Sequence, residues 1–188
     1  MRLAYACNGG LTDNPITNNS SVPFDWAVNG ALVTRLKGTS SSEVQKLEQA
    51  TTADMSNGDG TSNTILLAEN HYLDQWNYPS SNVTSEFYCA IVWQDNPSGT
   101  PIVGLDTPFL PGPQLNVAHA RPSSLHPGGF QVVMCDGRTA FISDAISYDV
   151  YCKLMTSNGR KYKQAGMTTP YSAGVVNMQS TPLSDDTY

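Results

Sequence analysis

Three short apolar runs, each bounded by turn-forming residues, dominate the hydrophobic pattern of the chain. Thr64–Glu69 is short and apolar enough for a buried strand, and the Asn57–Gly60 turn leads into it. Residues 87–93 are rich in aromatic and β-branched side chains and predict a second strand. The third run, residues 130–143, is interrupted by Asp136-Gly137. Together these runs predict a sheet built from short strands.

The Asp136-Gly137 pair between two strand-like runs is the strongest hairpin signal in the chain, because a type I′ turn needs positive φ at both central residues. A two-residue loop sets Cys135 opposite Arg138. Both faces of the hairpin at 130–143 are then largely apolar, which predicts a sheet that is covered on both sides.

Helix signals occur twice along the chain. Ser40, with Glu43 three residues later, fits a capping box and predicts a helix through Ala50. A second helix follows the hairpin; it is predicted to be capped by Ser143 or Asp144 and to end at residues 157–159.

The remaining segments lack such patterns. Residues 8–30 are dense in turn formers and predict a long surface loop, and residues 95–123 are rich in proline and predict an irregular crossing. The predicted fold class is therefore α+β. It comprises a single globular domain over residues 1–167, with a mainly antiparallel sheet, one or two short helices and long loops, followed by a polar tail over residues 168–188.

Composition narrows the class of protein. The net charge is −6, and only 14% of residues are charged, against roughly 25% in typical soluble domains. A protein that binds the nucleic-acid backbone needs clustered Lys and Arg, so nucleic acid is excluded as a partner. Neutral hydrogen-bonding side chains cover the surface instead, a composition more common in exported proteins.

Membrane and redox signals are weak. No stretch approaches the roughly 18 consecutive apolar residues that a membrane-spanning helix needs, and the first ten residues lack the apolar segment of a signal peptide. We expect an exported domain separated from its leader, without membrane contact of its own. No C-x-x-C pair occurs among the four cysteines, which are Cys7, Cys89, Cys135 and Cys152. The sequence allows two alternatives, which are two disulfide bonds or four buried free thiols.

Histidine and carboxylate spacing does not predict catalysis. His71, His119 and His126 lack the spacing of a zinc hydrolase. A strand advances about 3.3 Å per residue, which places His126 and Asp136 roughly 20 Å apart at opposite ends of one strand. Glu69 is expected to be paired or to point outward at the end of its strand. A hydrolase would need two of Glu69, His119 and His126 within hydrogen-bond reach in a cleft. We predict no enzymatic activity, no catalytic residue and no cofactor.

One turn carries alternating oxygen donors that weakly suggest calcium. The four candidates are Asn57, Asp59, Thr61 and Asn63. Their spacing departs from that of an EF-hand loop, and only one of the four is charged. We expect a turn that hydrogen-bonds to itself, with calcium as the alternative.

Two motifs occur in a recognisable order. Asp59–Glu69 reads DGTSNTILLAE, and His126 is followed after nine residues by Asp136-Gly137. Both motifs resemble those of a large bacterial envelope family that is abundant in planctomycetes, and shorter likenesses extend the resemblance from about residue 5 to residue 160. The resemblance implies structural roles for its motif residues, which are Asp59, Gly60, Glu69, His126, Gly128, Gly129, Asp136 and Gly137.

Proteins of that family begin with a prepilin-type cleavage segment and a long apolar helix, which this sequence does not contain. The resemblance implies the pilin-like globular head of a type II secretion or type IV pilus-like subunit. Such a head lies outside the cytoplasm, in the cell envelope or beyond, while its parent is anchored in the inner membrane. Its partners would be other pilin-like subunits or copies of itself, in filament assembly, secretion or surface display.

An extracellular module that binds a glycan or a small solute is the alternative. Such a module needs a concave pocket lined by aromatic side chains, with a few converging polar groups. Clustering of Trp76 and Trp93 around a cleft would favour it, whereas their dispersal into the core would not.

Overall fold

A five-stranded sheet organises the part of the chain that the computed structural model describes, which is residues 4–11, 28–32, 50–71, 90–93, 120–161 and 183. The elements are β1 (Tyr5–Leu11), α1 (Thr52–Ser56), β2 (Ile65–Glu69), β3 (Ala90–Trp93), β4 (Gly129–Met134), β5 (Thr139–Ser143), α2 (Tyr148–Met155) and a 3-10 helix (Gly159–Lys161).

The strand order is β3-β1-β2-β4-β5. β1 pairs with β2, β2 with β4 and β4 with β5 in antiparallel orientation, and only the β1–β3 pair is parallel. The predicted α+β class with a mainly antiparallel sheet is therefore confirmed. The domain boundary at residue 167 stays a prediction; Leu183, from the predicted tail, packs against the core.

The hairpin at 130–143 is confirmed, but its predicted register is wrong by one residue. Val133 pairs with Thr139, and the connecting loop has three residues, 135–137, instead of two. Gly137 has a φ of 87°, and its N–H donates to Met134 O at 2.9 Å. This is the arrangement in which a type I turn is followed by a left-handed residue, which needs one residue more than a type I′ turn.

The shifted register also changes which side chains reach the core. Ile142 pairs with Phe130 on the buried face, whereas Phe141 points to the opposite face and is 49% exposed. The prediction that both faces of the hairpin are covered is therefore wrong, because a one-residue shift moves every side chain of a strand to the other face.

Helix α2 packs on the buried face of the sheet. Its residues Val150, Tyr151 and Leu154 belong to the core, and the Tyr151 hydroxyl donates to Val92 O of β3 at 2.9 Å. The helix begins at Tyr148 after Ser147, later than the predicted caps. Ser143 is unavailable as a cap because it is the last residue of β5 and pairs with Gly129.

Strand β1 overturns the prediction of a loop from residue 8. Asn8-Gly9-Gly10 lies inside this strand, between β2 and β3. A Cβ at Gly9 would lie 2.9 Å from the Cβ of Ala90, so the glycine permits close packing of neighbouring strands rather than a reversal of the chain.

The short helix α1 precedes the Asn57–Gly60 turn and was not predicted. Thr51 and Asp54 form its capping box. The predicted helix starting at Ser40 lies outside the described residues, except for its end at Ala50; residues 87–89 and most of 95–123 also lie outside them.

Asn8 links three elements through its buried side chain. Its Nδ2 donates to Ile65 O of β2 at 2.7 Å and to Met155 O of α2 at 2.8 Å. Its Oδ1 accepts from Gly10 N at 2.9 Å. One amide therefore satisfies three backbone groups that have little access to water.

Replacing Asn8 with Ala is expected to lower the free energy of unfolding by about 3 kcal/mol, because a buried polar group that loses its partner costs about 1–3 kcal/mol. Chemical denaturation measures this change. Asn57→Ala, which removes an exposed amide, is the matched control and should change stability by less than about 0.5 kcal/mol. Equal effects of the two substitutions would contradict the assigned role of Asn8.

Candidate functional site

The two motif segments run past each other in opposite directions. Asp59–Glu69 contains β2 and His126–Gly137 contains β4, and these strands are antiparallel neighbours. The two segments contact each other at both ends of the strand pair. The candidate site therefore has two parts, one at each end of this pair.

At one end, the turn after β4 packs on the DGTSNT segment. Asp136 N donates to Thr61 O at 3.1 Å, and the Arg138 guanidinium donates to Ser62 O at 2.8 Å. The Asp136 carboxylate accepts from Arg138 N at 2.8 Å. Both residues of the Asp136-Gly137 pair thus shape the turn.

At the other end, Glu69 contacts His126. Glu69 Oε1 lies 3.3 Å from His126 Nε2, and Glu69 Oε2 accepts from Gln131 N at 2.8 Å. The side chain of His126 is 59% exposed and that of Glu69 is 17% exposed. The glutamate therefore caps a backbone N–H of β4 while holding the loop that enters this strand.

The entry loop also needs its glycines. Gly128 has a φ of 83°, and a Cβ at Gly129 would lie 2.2 Å from Ile142 O. A side chain at residue 129 would therefore collide with the backbone of β5. The contacts at both ends of the strand pair fit the structural roles that the resemblance implies for the motif residues.

The Glu69–His126 contact bears directly on the hydrolase hypothesis. It brings two of the three proposed side chains within ion-pair distance, while His119 lies outside the described residues. The contact sits at an exposed loop, and the cavity described below lies beyond the opposite end of β2 and is lined by neither residue. His126 and Asp136 contact different partners, so the structure gives no support for a pair between them.

Asp59 joins the turn before β2 to the end of α2. Its Oδ2 accepts from Gly159 N at 2.7 Å and from the Thr156 hydroxyl at 2.9 Å, and Asp59 N donates to Ser157 O. Burial raises the pKa of Asp59, although these two bonds and the positive charge of Arg160 act in the opposite direction. The Asp59 carboxylate therefore links the turn before β2 to the chain that follows α2.

Of the four calcium candidates, Asn63 and Asp59 are joined by a hydrogen bond within the turn. Asn63 Nδ2 donates to Asp59 O at 3.1 Å, and the Thr64 hydroxyl lies 3.0 Å from the backbone oxygen of Gly60. Across the described ranges, no three or more His, Cys, Asp or Glu side chains come together as a metal-binding group. The Asp59 carboxylate, the one charged group among the four candidates, already accepts hydrogen bonds from Thr156 and Gly159. Asn57 and Thr61 lie on the same turn.

A cavity of about 410 Å³ opens beside this junction. Its wall is formed by the turn after α1, the end of α2, the 3-10 helix and Leu183. The residues that line it are Asn57, Gly58, Asp59, Asn63, Lys153, Asn158, Gly159, Arg160, Lys161 and Leu183. Among the described residues of this wall, three side chains are cationic, one is a carboxylate and none is aromatic.

Two further predictions concern Trp93 and the cysteines. Trp93 is fully buried in the core, so it does not line a cleft for a glycan, while Trp76 lies outside the described residues. Cys7, Cys135 and Cys152 carry thiols, and Cys89 lies outside the described part. Burial and the nearby Asp136 raise the pKa of Cys135 to about 11, which disfavours its reactive thiolate form.

Large apolar side chains are exposed around the Glu69 end of the sheet. Tyr5 pairs with Glu69 and is 44% exposed, and Phe141 pairs with Gln131 on the same face. Leu125, in the loop that carries His126, is 89% exposed. Tyr5, Leu125 and Phe141 are hereafter called the apolar rim.

Several of the residues that define the site were missed at the sequence level. Asn8 was assigned to the predicted loop because its neighbours are turn formers. Lys153 lay within a predicted helix, and no pattern distinguished it from the other residues of that helix. Arg160 and Lys161 follow the predicted end of that helix and were given no role. The signal that could have identified this cavity is the coincidence of these basic residues with the end of a predicted helix.

Comparison with known proteins gives one match. A family model described as "Protein of unknown function (DUF1559)", with the label SBP_bac_10, matches residues 13–149. This is well over half of the chain, and the chain belongs to this family. The membership is consistent with an envelope protein, whereas the pilin-like assignment depends on the motifs alone. No curated protein and no solved structure matches the chain.

A search for membrane-spanning helices among the described residues found none of sufficient length and apolar character.

Replacing Asp59 with Ala is expected to lower the free energy of unfolding by about 2–3 kcal/mol, because Gly159 N and the Thr156 hydroxyl lose their acceptor. Asp59→Asn keeps an acceptor oxygen and should cost less. Chemical denaturation of both variants measures the difference. Equal losses would show that the hydrogen bonds do not carry the effect.

The stability difference between wild type and Asp59→Asn should also depend on pH. The pKa of Asp59 is higher in the folded state than in the unfolded state. Its contribution to the free energy of unfolding is therefore fully present at a pH below the ordinary pKa of 3.8, and it declines as the pH rises through the folded-state pKa. Denaturation across this range measures the decline. A wild-type advantage that grows with pH would contradict the raised pKa.

Substitutions at the Glu69–His126 contact should show an order of effects. His126→Ala removes the Glu69–His126 contact and Glu69→Gln removes its carboxylate charge. Each should cost up to about 1 kcal/mol, since His126 is largely exposed. Glu69→Ala also deprives Gln131 N of its acceptor and should cost about 1–2 kcal/mol more. Thermal or chemical unfolding measures this order, and a larger loss for His126→Ala than for Glu69→Ala would contradict it.

Proposed function

We propose that the chain is the non-enzymatic, globular head of a pseudopilin-like cell-envelope subunit. Its parent is anchored in the inner membrane by a prepilin-type N-terminal helix, and the head acts outside the cytoplasm in filament assembly, secretion or surface display. The observation that carries this proposal is the use of the two motifs, whose side chains and backbone brace the β2–β4 pair at both ends.

The bracing contacts support a scaffold in preference to a catalyst. Glu69 is engaged by Gln131 N and His126, and Asp136 by Arg138 N. An acid–base catalyst must place its group within hydrogen-bond reach of the proton that it transfers. The imidazole here is mostly exposed at a loop, which suits a contact that positions the chain.

The apolar rim supplies a surface for subunit contacts. Tyr5 and Phe141 lie on the face of the sheet opposite the core, and Leu125 projects from the adjoining loop. Tyr5 and Phe141 share one row across the sheet, with Glu69 and Gln131 between them, and apolar side chains exposed on one face of a sheet are available for contact with another subunit. In a filament, such a surface makes lateral contacts while the weakly charged remainder faces solvent.

The proposal is tested on the product of the native gene. An antibody against this domain should detect a membrane-fraction protein larger than 20.3 kDa whose mature N-terminus is methylated, as mass spectrometry would show. Cells without prepilin peptidase provide the control, and in them the protein should retain its leader. A cytoplasmic product that carries no upstream apolar segment would overturn the proposal.

Replacing Leu125 with Asp in the native subunit should reduce its incorporation into filaments by about tenfold or more, because a charge in the rim disfavours apolar contact. Sedimentation of sheared surface filaments followed by immunoblotting measures incorporation. Ser124→Asp adds the same charge one residue away and is the matched control. Equal incorporation of the Leu125→Asp variant and wild type, at equal stability, would remove the rim from the interface.

A further inference from the structure

The two edge strands of the sheet differ in how they are covered. β5 is the last strand in the sheet order of the described residues, and its side chains at Thr139, Phe141 and Ser143 are exposed. These three are hereafter called the outer residues. All four residues of β3, the other edge strand, are buried, and Val92 N donates to Ala120 O at 2.7 Å. The chain itself therefore covers β3, whereas β5 faces solvent.

The backbone of β5 directs hydrogen-bonding groups to this exposed edge. Arg138 O accepts from Met134 N at 2.8 Å, and Asp144 N donates to Gly128 O at 3.2 Å, so these two residues direct backbone groups towards the β4 side of the hairpin. In an antiparallel pair this direction alternates from one residue to the next. The outer residues therefore direct their N–H and C=O groups away from β4.

The usual protection of an exposed edge is missing from β5. Natural edge strands carry charged residues, proline or a bulge that prevents pairing with another chain. The sequence of Thr139–Ser143 is TAFIS, without charge or proline. It pairs with β4 over five consecutive residues without a shift, whereas the β2–β4 register shifts between Ile65 and Leu67. Such an edge is suited to accept a further strand.

A second copy of β5 fits this edge. Antiparallel pairing about a two-fold axis at Phe141 sets Phe141 opposite its counterpart and Thr139 opposite Ser143 of the other copy. Aromatic pairs and pairs of hydroxyl residues are among the favourable cross-strand pairs. Ser143 O already accepts from Ile146 N at 3.3 Å. The remaining N–H and C=O groups of the outer residues can form four hydrogen bonds between the two copies.

Charge favours the same register. Positions 138 and 144 lie three residues on either side of Phe141, so the two-fold pairing sets Arg138 of one copy opposite Asp144 of the other. Both residues are exposed. The Arg138 guanidinium donates to Ser62 O at 2.8 Å and has further N–H donors. A parallel, in-register pairing would instead set like charges opposite each other at both ends, which is unfavourable.

We propose that two copies of this chain associate through antiparallel pairing of their β5 strands. The two five-stranded sheets then form one continuous sheet, with both α2 helices on one face and both Phe141 side chains on the other. The association is closed, because the pairing occupies the edge that each copy contributes. It requires no membrane anchor and no filament, and so goes beyond the proposed function.

Sedimentation equilibrium of the purified chain, from about 1 μM to about 1 mM, tests the proposal. We expect a reversible equilibrium between monomer and dimer. Phe141→Lys sets two like charges opposite each other and should weaken dimerisation about tenfold or more. Tyr5→Lys places the same charge on β1 and is the control, with an expected change of less than about twofold. A monomer throughout, an assembly larger than a dimer, or equal weakening by the control would overturn the proposal.

Charge reversal tests the register. Asp144→Arg sets an arginine opposite Arg138 and should weaken dimerisation about tenfold. Adding Arg138→Asp to this variant exchanges the two charges and should return the dissociation constant to within about threefold of wild type. Asp149→Arg makes the same charge change on α2 and should have little effect. A double variant that stays folded, as thermal unfolding would show, but does not regain affinity would overturn the proposed register.

Disulfide cross-linking measures the register independently of charge. Phe141→Cys places two thiols at the axis, where Cα atoms of paired residues are about 5.5 Å apart, within the range of disulfides. Thr139→Cys, the control on the same face, places its thiols about 13 Å apart or more. After mild oxidation, non-reducing electrophoresis should show at least about fivefold more covalent dimer for Phe141→Cys. Equal cross-linking of the two variants would overturn the pairing, and would leave the proposed membrane-anchored subunit unaffected.

Discussion

The buried C-terminal end of α2 imposes the constraint on which the sheet depends. The last carbonyl groups of a helix lack partners within the helix and must find donors elsewhere. Here the Asn8 amide donates to Met155 O, the Thr64 hydroxyl lies 3.2 Å from Thr156 O, and Asp59 N donates to Ser157 O at 3.0 Å. Donors from β1, from the residue before β2 and from the preceding turn thus converge on one helix end, which fixes the helix against the centre of the sheet.

Local sequence patterns correctly predicted those elements in which the conformation that the residues favour locally is also the one that they adopt in the packed sheet. The strand at Thr64–Glu69 and the hairpin at 130–143 were predicted because their apolar runs are bounded by turn residues. β1 was not, because Asn8-Gly9-Gly10 has the composition of a turn; its strand conformation depends on pairing with β2 and β3, which are distant in sequence. The hairpin register was wrong because Asp-Gly fits both two-residue and three-residue loops. Gly137 has a positive φ in either loop, so only the pairing of β4 with β5 in the folded chain decides between them.

The candidate site shows the same division between local and distant information. The motifs indicated which residues matter, but the contact between Glu69 and His126 follows from β2–β4 pairing, which no spacing within either motif predicts. A cavity arises where Lys153 and Arg160, on consecutive elements, meet the turn that carries Asp59. Bracing by the motifs occurs at both ends of the β2–β4 pair, whereas this cavity lies at one end only.

The junction at α2 also constrains the order in which the chain can fold. Asn8 and Met155 are separated by 147 positions, and Asp59 and Thr156 by 97. Contacts between such distant positions require closure of long loops, which slows folding relative to chains with local contacts. Asn8 can bond to Ile65 O of β2 earlier, but its bond to Met155 O cannot form until residue 155 has been synthesised. The C-terminal end of α2 can therefore join the sheet only after most of the chain has been synthesised.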